Sequence, residues 1–254
     1  MAERRRLLID PDRLAATVTL ERHEAHYVSR VLRLRAGDLL DLVDGRGQLW
    51  TGRLDPDGAL TLEQPPDQPL QRASPPALLI ELAMAVPRQD ADAAWRMACE
   101  LGADRLQPLA AQRQAMGTRV AHQRWHSIIR EACEQCERLW LPELAPLCNS
   151  DAWLAEHAAD LRLFATTRRH LPPLESLLPH AVAPPRLQPY RICLAVGPEG
   201  GWCGNEETVA EAAGWLPVRL GDTILRTSTA AVAGLARLVA WRAHASLAHH
   251  RLGH

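Results

Sequence analysis

The sequence predicts an α/β protein built on a parallel sheet, with a small β-barrel and one helix in front of it. Three observations carry this. From residue 77 onward, short apolar runs alternate with helical patterns, which is how a parallel sheet with crossover helices reads. Before residue 63 the runs are shorter and are separated by Asp-Gly corners, the mark of hairpins. Between the two lies 63–76, with five prolines in fourteen positions, a semi-rigid linker. The expected domains are therefore 1–74 and 75–254.

The elements follow in order. His23 to Leu34 has helical spacing, with His26, Arg30 and Arg33 on one side and Tyr27, Val31 and Leu34 on another. Leu39–Val43 and Gln48–Leu54 are strands flanking Asp44-Gly45, and Asp55 to Gly58 forms the next corner. Ala77 to Val86 is almost wholly apolar and stops at Pro87, as a buried parallel strand does. Asp90 to Leu101 is an amphipathic helix closed by Gly102. Leu106–Leu109 is a short strand and His122 to Leu139 a long helix. Asp151 to Ala159 is a helix capped by Ser150 or Asp151. Leu161–Thr166, Arg191–Val196 and Val218–Leu220 are strands, 171–189 a proline-rich loop, and Thr227 to about His249 an alanine-rich closing helix.

Composition narrows the function classes. A 47% hydrophobic content supports a real core and argues against disorder. No apolar run is long enough to span a membrane. Asp10 and Asp12 interrupt the basic start before a signal-peptide core can form, so a cytoplasmic protein is expected. All 29 basic residues are Arg, and the net charge is −1; composition therefore carries no global nucleic-acid signal. Charge is uneven, however, with eight Arg against five acids in 1–35 and three against seven in 36–75. The strip Ser29 to Arg35 could meet phosphates. Cys99 and Cys193 lie in apolar segments and read as small core residues. Cys133 and Cys136 would sit on one continuous helix with His122 and His126 upstream, without the knuckle that zinc sites use, so no metal is expected.

The chemistry concentrates in two strand-to-helix corners. Val196-Gly-Pro-Glu-Gly-Gly201 lacks the Lys-Ser/Thr of a Walker loop and the spacing of the dinucleotide fingerprint. Gly197, Gly200 and Gly201 permit positive φ and close approach of a ligand. Main-chain groups there can read the edge of an adenine. Leu220-Gly221 to Arg226 is the second corner. Arg226 stands just before a helix, where a cation is electrostatically misplaced unless it clamps a phosphate or a developing negative charge.

Together these motifs resemble the RsmE family of 16S rRNA (uracil-N3)-methyltransferases, in the SPOUT superfamily. Its GPEGG and LG-x-x-ILR-T-x-TA strings stand at Gly197–Gly201 and Leu220–Ala230. Glu100-Leu-Gly102 with Pro108 and Arg113, the Arg130 to Arg138 helix and His26 to Arg33 follow the family's order. The resemblance implies a PUA-like RNA-binding barrel, then a SPOUT sheet with a C-terminal trefoil knot. It also implies S-adenosyl-L-methionine as cofactor and a homodimer through the knotted domain. The substrate would be 16S rRNA or the small ribosomal subunit, with no DNA and no membrane. Arg226 and Glu199 would be catalytic, Arg226 stabilising charge on the uracil and Glu199 removing a proton or fixing loop geometry. Thr166, Gly197, Gly200, Leu220, Gly221, Ile224 and Leu225 would line the cofactor pocket. Arg30, Arg33 and Arg113 would meet RNA phosphates. Two alternatives share the fold: a methyltransferase acting on a ribose 2′-hydroxyl, and a non-catalytic RNA-binding homologue. Three departures from the family pattern stand out. Ser228 replaces a Glu, Met97 replaces a Lys, and Cys203 replaces a helix-capping Ser, for which Asn205 could substitute.

Overall fold

The structure, a computed structural model, describes residues 4–167, 170–179 and 189–252. Its contacts divide the chain into two units, Met1–Pro75 with Arg130–Leu141, and Pro76–Ile129 with Pro142–His254.

In the first unit, β1 (Arg6–Leu8), β2 (Thr17–Val18), β3 (Leu39–Val43), β4 (Gln48–Leu54), β5 (Leu60–Leu62) and β6 (Gln71–Arg72) form one sheet. Its order is β1-β3-β4-β5-β2, with β6 on β4. Alternation puts Leu40, Leu42, Trp50, Leu54, Leu60 and Leu62 inside with Leu7, Ile9, Val18 and Val28. The Asp44 carboxylate accepts the N–H groups of Arg46 (2.7 Å) and Gln48 (3.0 Å), which fixes the first corner as an Asx-type turn. Part of the proline-rich stretch is not linker, since Gln71–Arg72 pairs with β4.

The helix expected from His23 to Leu34 is broken. α1 (Arg22–His26) passes into a π-helical turn, Tyr27–Val31, and Arg33 ends it at φ 58°. A π turn shifts the side-chain register. Val28 is therefore the buried residue, while Val31 is 59% exposed. Arg30 and Arg33 stay exposed.

Segment 130–141 belongs to the first unit because its polar side chains hold β1. Arg130 donates to the Leu8 carbonyl (2.9 Å) and the Asp10 carboxylate (2.8 Å). Glu134 accepts the Leu8 N–H at 2.8 Å. Burial pushes the Glu134 carboxyl from its ordinary 4.5 up to about 7, although Leu8 N–H and Arg130 favour its charged form. A carboxyl raised on folding makes the folded unit the better proton binder, so stability falls as pH rises between about 4.5 and 7. The opening free energy of β3 amides, read by hydrogen exchange, is expected to drop by on the order of 1 kcal/mol from pH 5 to pH 8. Glu134→Gln, which keeps an acceptor for Leu8, flattens that slope.

The second unit holds β7 (Leu78–Ala85), α2 (Ala91–Leu101), β8 (Arg105–Ala110), β9 (Glu143–Leu144), β10 (Cys148–Asn149), α4 (Ser150–Glu156), β11 (Leu161–Ala165), β12 (Tyr190–Val196), α5 (Gly204–Ala212), β13 (Leu216–Val218) and α6 (Thr227–Leu252). Between β8 and β9 runs α3 (His122–Gln135), whose residues from Arg130 on belong to the first unit. α3 ends at Gln135 rather than Leu139, and Glu137 takes φ 62°. The sheet runs β10-β8-β7-β12-β11-β13 with β9 on β8, and every pairing is parallel. One face carries Ala83, Ala85, Cys193 and Ala195 under α4 and α5, with Trp202 and Trp215 between; α6 packs on β7, β12 and α2. The third strand of the site is Leu216–Val218, two residues earlier than its apolar pattern suggests. The proline-rich loop contains a 3-10 turn, Leu174–Leu177, while its part 180–188 lies outside the described residues.

Chain direction diverges between β7 and β12. β7 leads through α2 to β8 on one side, and β12 leads through α5 to β13 on the other. Ligands in open α/β sheets sit beyond the C-terminal strand ends at such a switch point.

Candidate functional site

The register aligns three strand ends. Ala165 of β11 pairs with Val196 of β12 and with Val218 of β13. Thr166, Gly197 and Arg219 therefore emerge side by side, and the Thr166 N–H donates to the Val218 carbonyl (3.0 Å). Thr166 and Gly197 are thus brought together at one edge, with Leu220 two residues past β13.

The first corner is shaped by close packing. A Cβ on Gly197 would lie 2.9 Å from the Trp202 ring, and one on Gly200 would lie 2.8 Å from the Arg113 carbonyl. Close approach explains these glycines; only Gly201 has positive φ, at 70°, so the expected conformational freedom is used once. Trp202 stacks on Phe164, with centroids 4.7 Å apart, and donates to the Ala165 carbonyl (2.9 Å). Arg113 is exposed, yet one of its guanidinium nitrogens donates to the Trp202 carbonyl at 3.1 Å.

The corner is anchored by a residue that sequence reasoning missed. Glu206 is 0% exposed and accepts from Ser150 Oγ (2.5 Å), Gln112 N–H (3.0 Å) and Cys203 N–H (2.7 Å). Cys203 is the N-cap of α5, its sulfur accepting the Glu206 N–H. Asn205 does not cap; its amide reaches Asp151 (3.2 Å). Ser150 does not cap α4 either, because its hydroxyl is spent on Glu206, and the N-cap position is Asn149. The Cys203-x-x-Glu206 spacing is that of a capping box, a legible signal once Cys is admitted as the cap.

The second corner meets the first through Thr227 Oγ1, which donates to the Gly197 carbonyl at 2.9 Å. Among the described residues, none of the backbone N–H groups from Leu220 to Leu225 finds a partner. Ile224 is 80% exposed. This stretch thus offers unengaged main chain and an apolar side chain, which fits a ligand with a heterocyclic edge.

A pocket of about 310 Å³ opens between the end of β7, the first corner and the start of α6. Its lining includes Arg88, Asp90, Glu199, Arg226 and Ser228. Glu199 accepts the Arg88 N–H at 3.0 Å, so its carboxylate ties the first corner to the β7–α2 loop. Arg226 is exposed at the start of α6. Of the departures from the family pattern, Ser228 faces this pocket, while Met97 is half-buried on α2. Arg30 and Arg33 belong to the first unit and Arg113 to the second.

Two other polar groups need placing. Cys133 is fully buried, and its sulfur approaches the carbonyls of Arg138 and Trp140. Glu81, His157 and Cys193 bring ligand-type atoms within 4.8 Å of one another. Arg105 and Arg191 lie 3.4 and 3.7 Å from that same carboxylate. Charge balance therefore reads the cluster as a buried ion-pair group.

A parallel sheet with a backbone-lined switch-point site and a separate small β unit defines a class. A family model for the RNA methyltransferase domain matches residues 74–239, and one for the RNA methyltransferase PUA domain matches 20–62. The protein is an RNA methyltransferase of the SPOUT fold with a PUA-like N-terminal domain. The "Ribosomal RNA small subunit methyltransferase E" of Synechocystis sp. is 36% identical over 238 residues, 92% of this chain and 76% of the relative. The protein of the same name from Mycobacterium tuberculosis is 30% identical over 229 residues, 87% of this chain and 85% of the relative. A crystal structure of ribosomal RNA small subunit methyltransferase E from Neisseria gonorrhoeae, bound to S-adenosyl methionine, superposes with a TM-score of 0.78 at 28% identity. It covers 94% of this chain and 98% of that one. This chain belongs to the ribosomal RNA small subunit methyltransferase E family. No helix among its described residues is long and apolar enough to cross a membrane.

Proposed function

We propose that the protein transfers the methyl group of S-adenosylmethionine to N3 of one uridine in 16S rRNA of the small ribosomal subunit. The observation that carries the reading is the unengaged main chain of Leu220–Leu225 beside the glycine corner, in a chain whose family is shown. Thr166, Gly197, Gly200, Leu220, Gly221, Ile224 and Leu225 would hold the cofactor, mostly through backbone. When bound, S-adenosylmethionine supplies an electrophilic methyl whose C–S bonding pair stays on sulfur as the methyl leaves.

The chain's own residues then have two tasks. They orient the uridine so that the N3 lone pair faces the methyl in line; such orientation supplies up to roughly 7–11 kcal/mol. They also favour the imidate anion that forms as N3 gives up its proton to solvent water. Arg226, at the pocket mouth, stabilises the negative charge that collects on the uracil oxygens, an effect of about 3–4 kcal/mol for a well-placed donor. Glu199 holds the Arg88 loop in place. Glu199→Gln keeps an acceptor for the Arg88 N–H and is expected to retain most of the single-turnover rate. Glu199→Ala loses roughly tenfold by freeing the loop. An essential proton acceptor would instead cost on the order of 10²–10⁴-fold in both variants, and that pattern would make Glu199 the base.

Arg30, Arg33 and Arg113 would contact RNA phosphates. Two further features follow from the family resemblance. The C-terminal segment is threaded as a trefoil knot, and two copies pair through that domain. A groove of about 490 Å³ between the 174–177 turn and α6, lined by Trp241 and Arg237, supports an interface there; sedimentation equilibrium reads the dimer directly. The expected place of action is the cytoplasm, where the ribosomal substrate is. Calorimetric titration with S-adenosylmethionine tests the reading against a non-catalytic RNA binder. One cofactor per chain is expected, and absence of binding would contradict the proposal.

A further inference from the structure

The β7–α2 loop carries a cation that the reaction as described does not use. Arg88 is exposed, lines the same pocket as Arg226, and among the described residues its guanidinium has no hydrogen bond or ion pair. The backbone beneath it is held twice. Glu199 accepts the Arg88 N–H (3.0 Å), and Gln114 donates to the Val86 carbonyl (2.9 Å). Two residues on, Asp90 takes φ 64° with no side-chain cap, a left-handed conformation that costs a residue with a Cβ roughly 1–2 kcal/mol. Strain of this kind persists where surrounding contacts impose a particular loop shape, and it gathers at ligand clamps. A side chain presented from a loop already fixed loses little further freedom on gripping a ligand.

Sheet order says which ligand. The unengaged main chain proposed for the cofactor follows β13, and Thr166 follows β11. Arg88 follows β7, on the far side of β12. β7 and β11 are two strand spacings apart, roughly 10 Å, so Arg88 stands on the side of the pocket away from the cofactor. Its charged neighbours there are Arg226, Glu199 and Asp90. Glu199 is turned onto the loop backbone, and Asp90 makes no ion pair among the described residues. The anion that RNA brings to such a rim is a phosphodiester, and guanidinium is the planar, bidentate partner for it.

We propose that Arg88 grips the phosphodiester next to the target nucleotide, a positioning contact that sets RNA register while Arg226 faces the base. This rests on the methyltransferase reading above. The test is Arg88→Ala, which leaves the backbone N–H to Glu199 in place. KM for small ribosomal subunits is expected to rise about tenfold at moderate salt. The slope of log affinity for the subunits against log salt should fall by about 0.7–0.9, the loss of one phosphate contact. Affinity for S-adenosylmethionine stays within about twofold of the wild type, and Arg88→Lys recovers part of the salt slope because it keeps the charge. An unchanged salt slope in a folded Arg88→Ala protein overturns the inference. So does a weakened cofactor affinity with the slope intact, which would place Arg88 on the cofactor carboxylate. In either case wild-type methylation shows that the underlying reading survives. A wild type that binds cofactor but neither binds nor methylates the subunits overturns both.

Discussion

Arg226→Ala lowers single-turnover methyl transfer at least tenfold while leaving affinity for S-adenosylmethionine near that of the wild type. A factor of ten is about 1.4 kcal/mol of barrier, well inside the roughly 3–4 kcal/mol that one preorganised donor supplies to a developing oxyanion. The split between rate and affinity follows from placement. Arg226 is exposed where the pocket meets the start of α6, and its side chain takes no part in holding the corners together; Thr227 does that through the Gly197 carbonyl. Its removal should therefore leave the cofactor cradle intact. A positive charge at a helix start also opposes the helix dipole, so folding stability holds or rises slightly. An unaltered single-turnover rate removes Arg226 from the reaction.

The second large effect is on stability. Glu206→Ala takes away one carboxylate that accepts from Gln112, Cys203 and Ser150, in a position with no solvent exposure. Ser150 can turn to the Ala110 carbonyl at 3.2 Å, so the Gln112 and Cys203 N–H groups are the donors left without an acceptor. Buried donors left without acceptors cost about 1–3 kcal/mol each, and the effects are not additive. A loss of roughly 3–5 kcal/mol is expected, seen as a fall of about 10 °C in the thermal midpoint. Activity falls with it, because Glu206 joins the first corner to the Gln112 loop and to α4. A midpoint within about 2 °C of the wild type would show that water or rearrangement replaces the carboxylate, and that the corner is held by Trp202 alone.

Much of this molecule was legible in its residues. The almost wholly apolar run at β7, interrupted only by Glu81, and the alternation after it gave the parallel sheet, since strands covered on both faces read that way. The Asp-Gly corners gave the hairpin of β3 and β4 with their bounds, because the turn chemistry there is local. The glycines of the first corner stood out in the sequence, but the reason for two of them is tertiary: Gly197 packs against Trp202 and Gly200 against the Arg113 carbonyl.

What escaped was set by tertiary contact. The π turn at Tyr27–Val31 has no local composition signal, so the helical stripe placed Val31 rather than Val28 inside. Segment 130–141 reads as an ordinary continuation of α3. It joins the first unit because Arg130 and Glu134 find the backbone of β1, a pairing across some 120 residues. Ser150 looked like a helix cap until Glu206, 56 residues away, claimed its hydroxyl. Arg88 follows the proline that ends the central strand. Position at a C-terminal strand end was the available clue, but it takes the folded lining, with Arg88 and Asp90 beside Glu199 and Arg226, to show that its loop is part of the pocket.

The claim on which the rest stands is that two facing corners present a uridine base, rather than its sugar, to the methyl donor. Nucleoside mass spectrometry of small-subunit RNA after incubation with the protein and labelled S-adenosylmethionine addresses it directly. The account predicts one labelled nucleoside, a uridine methylated on N3. Label on a ribose 2′-oxygen would contradict it.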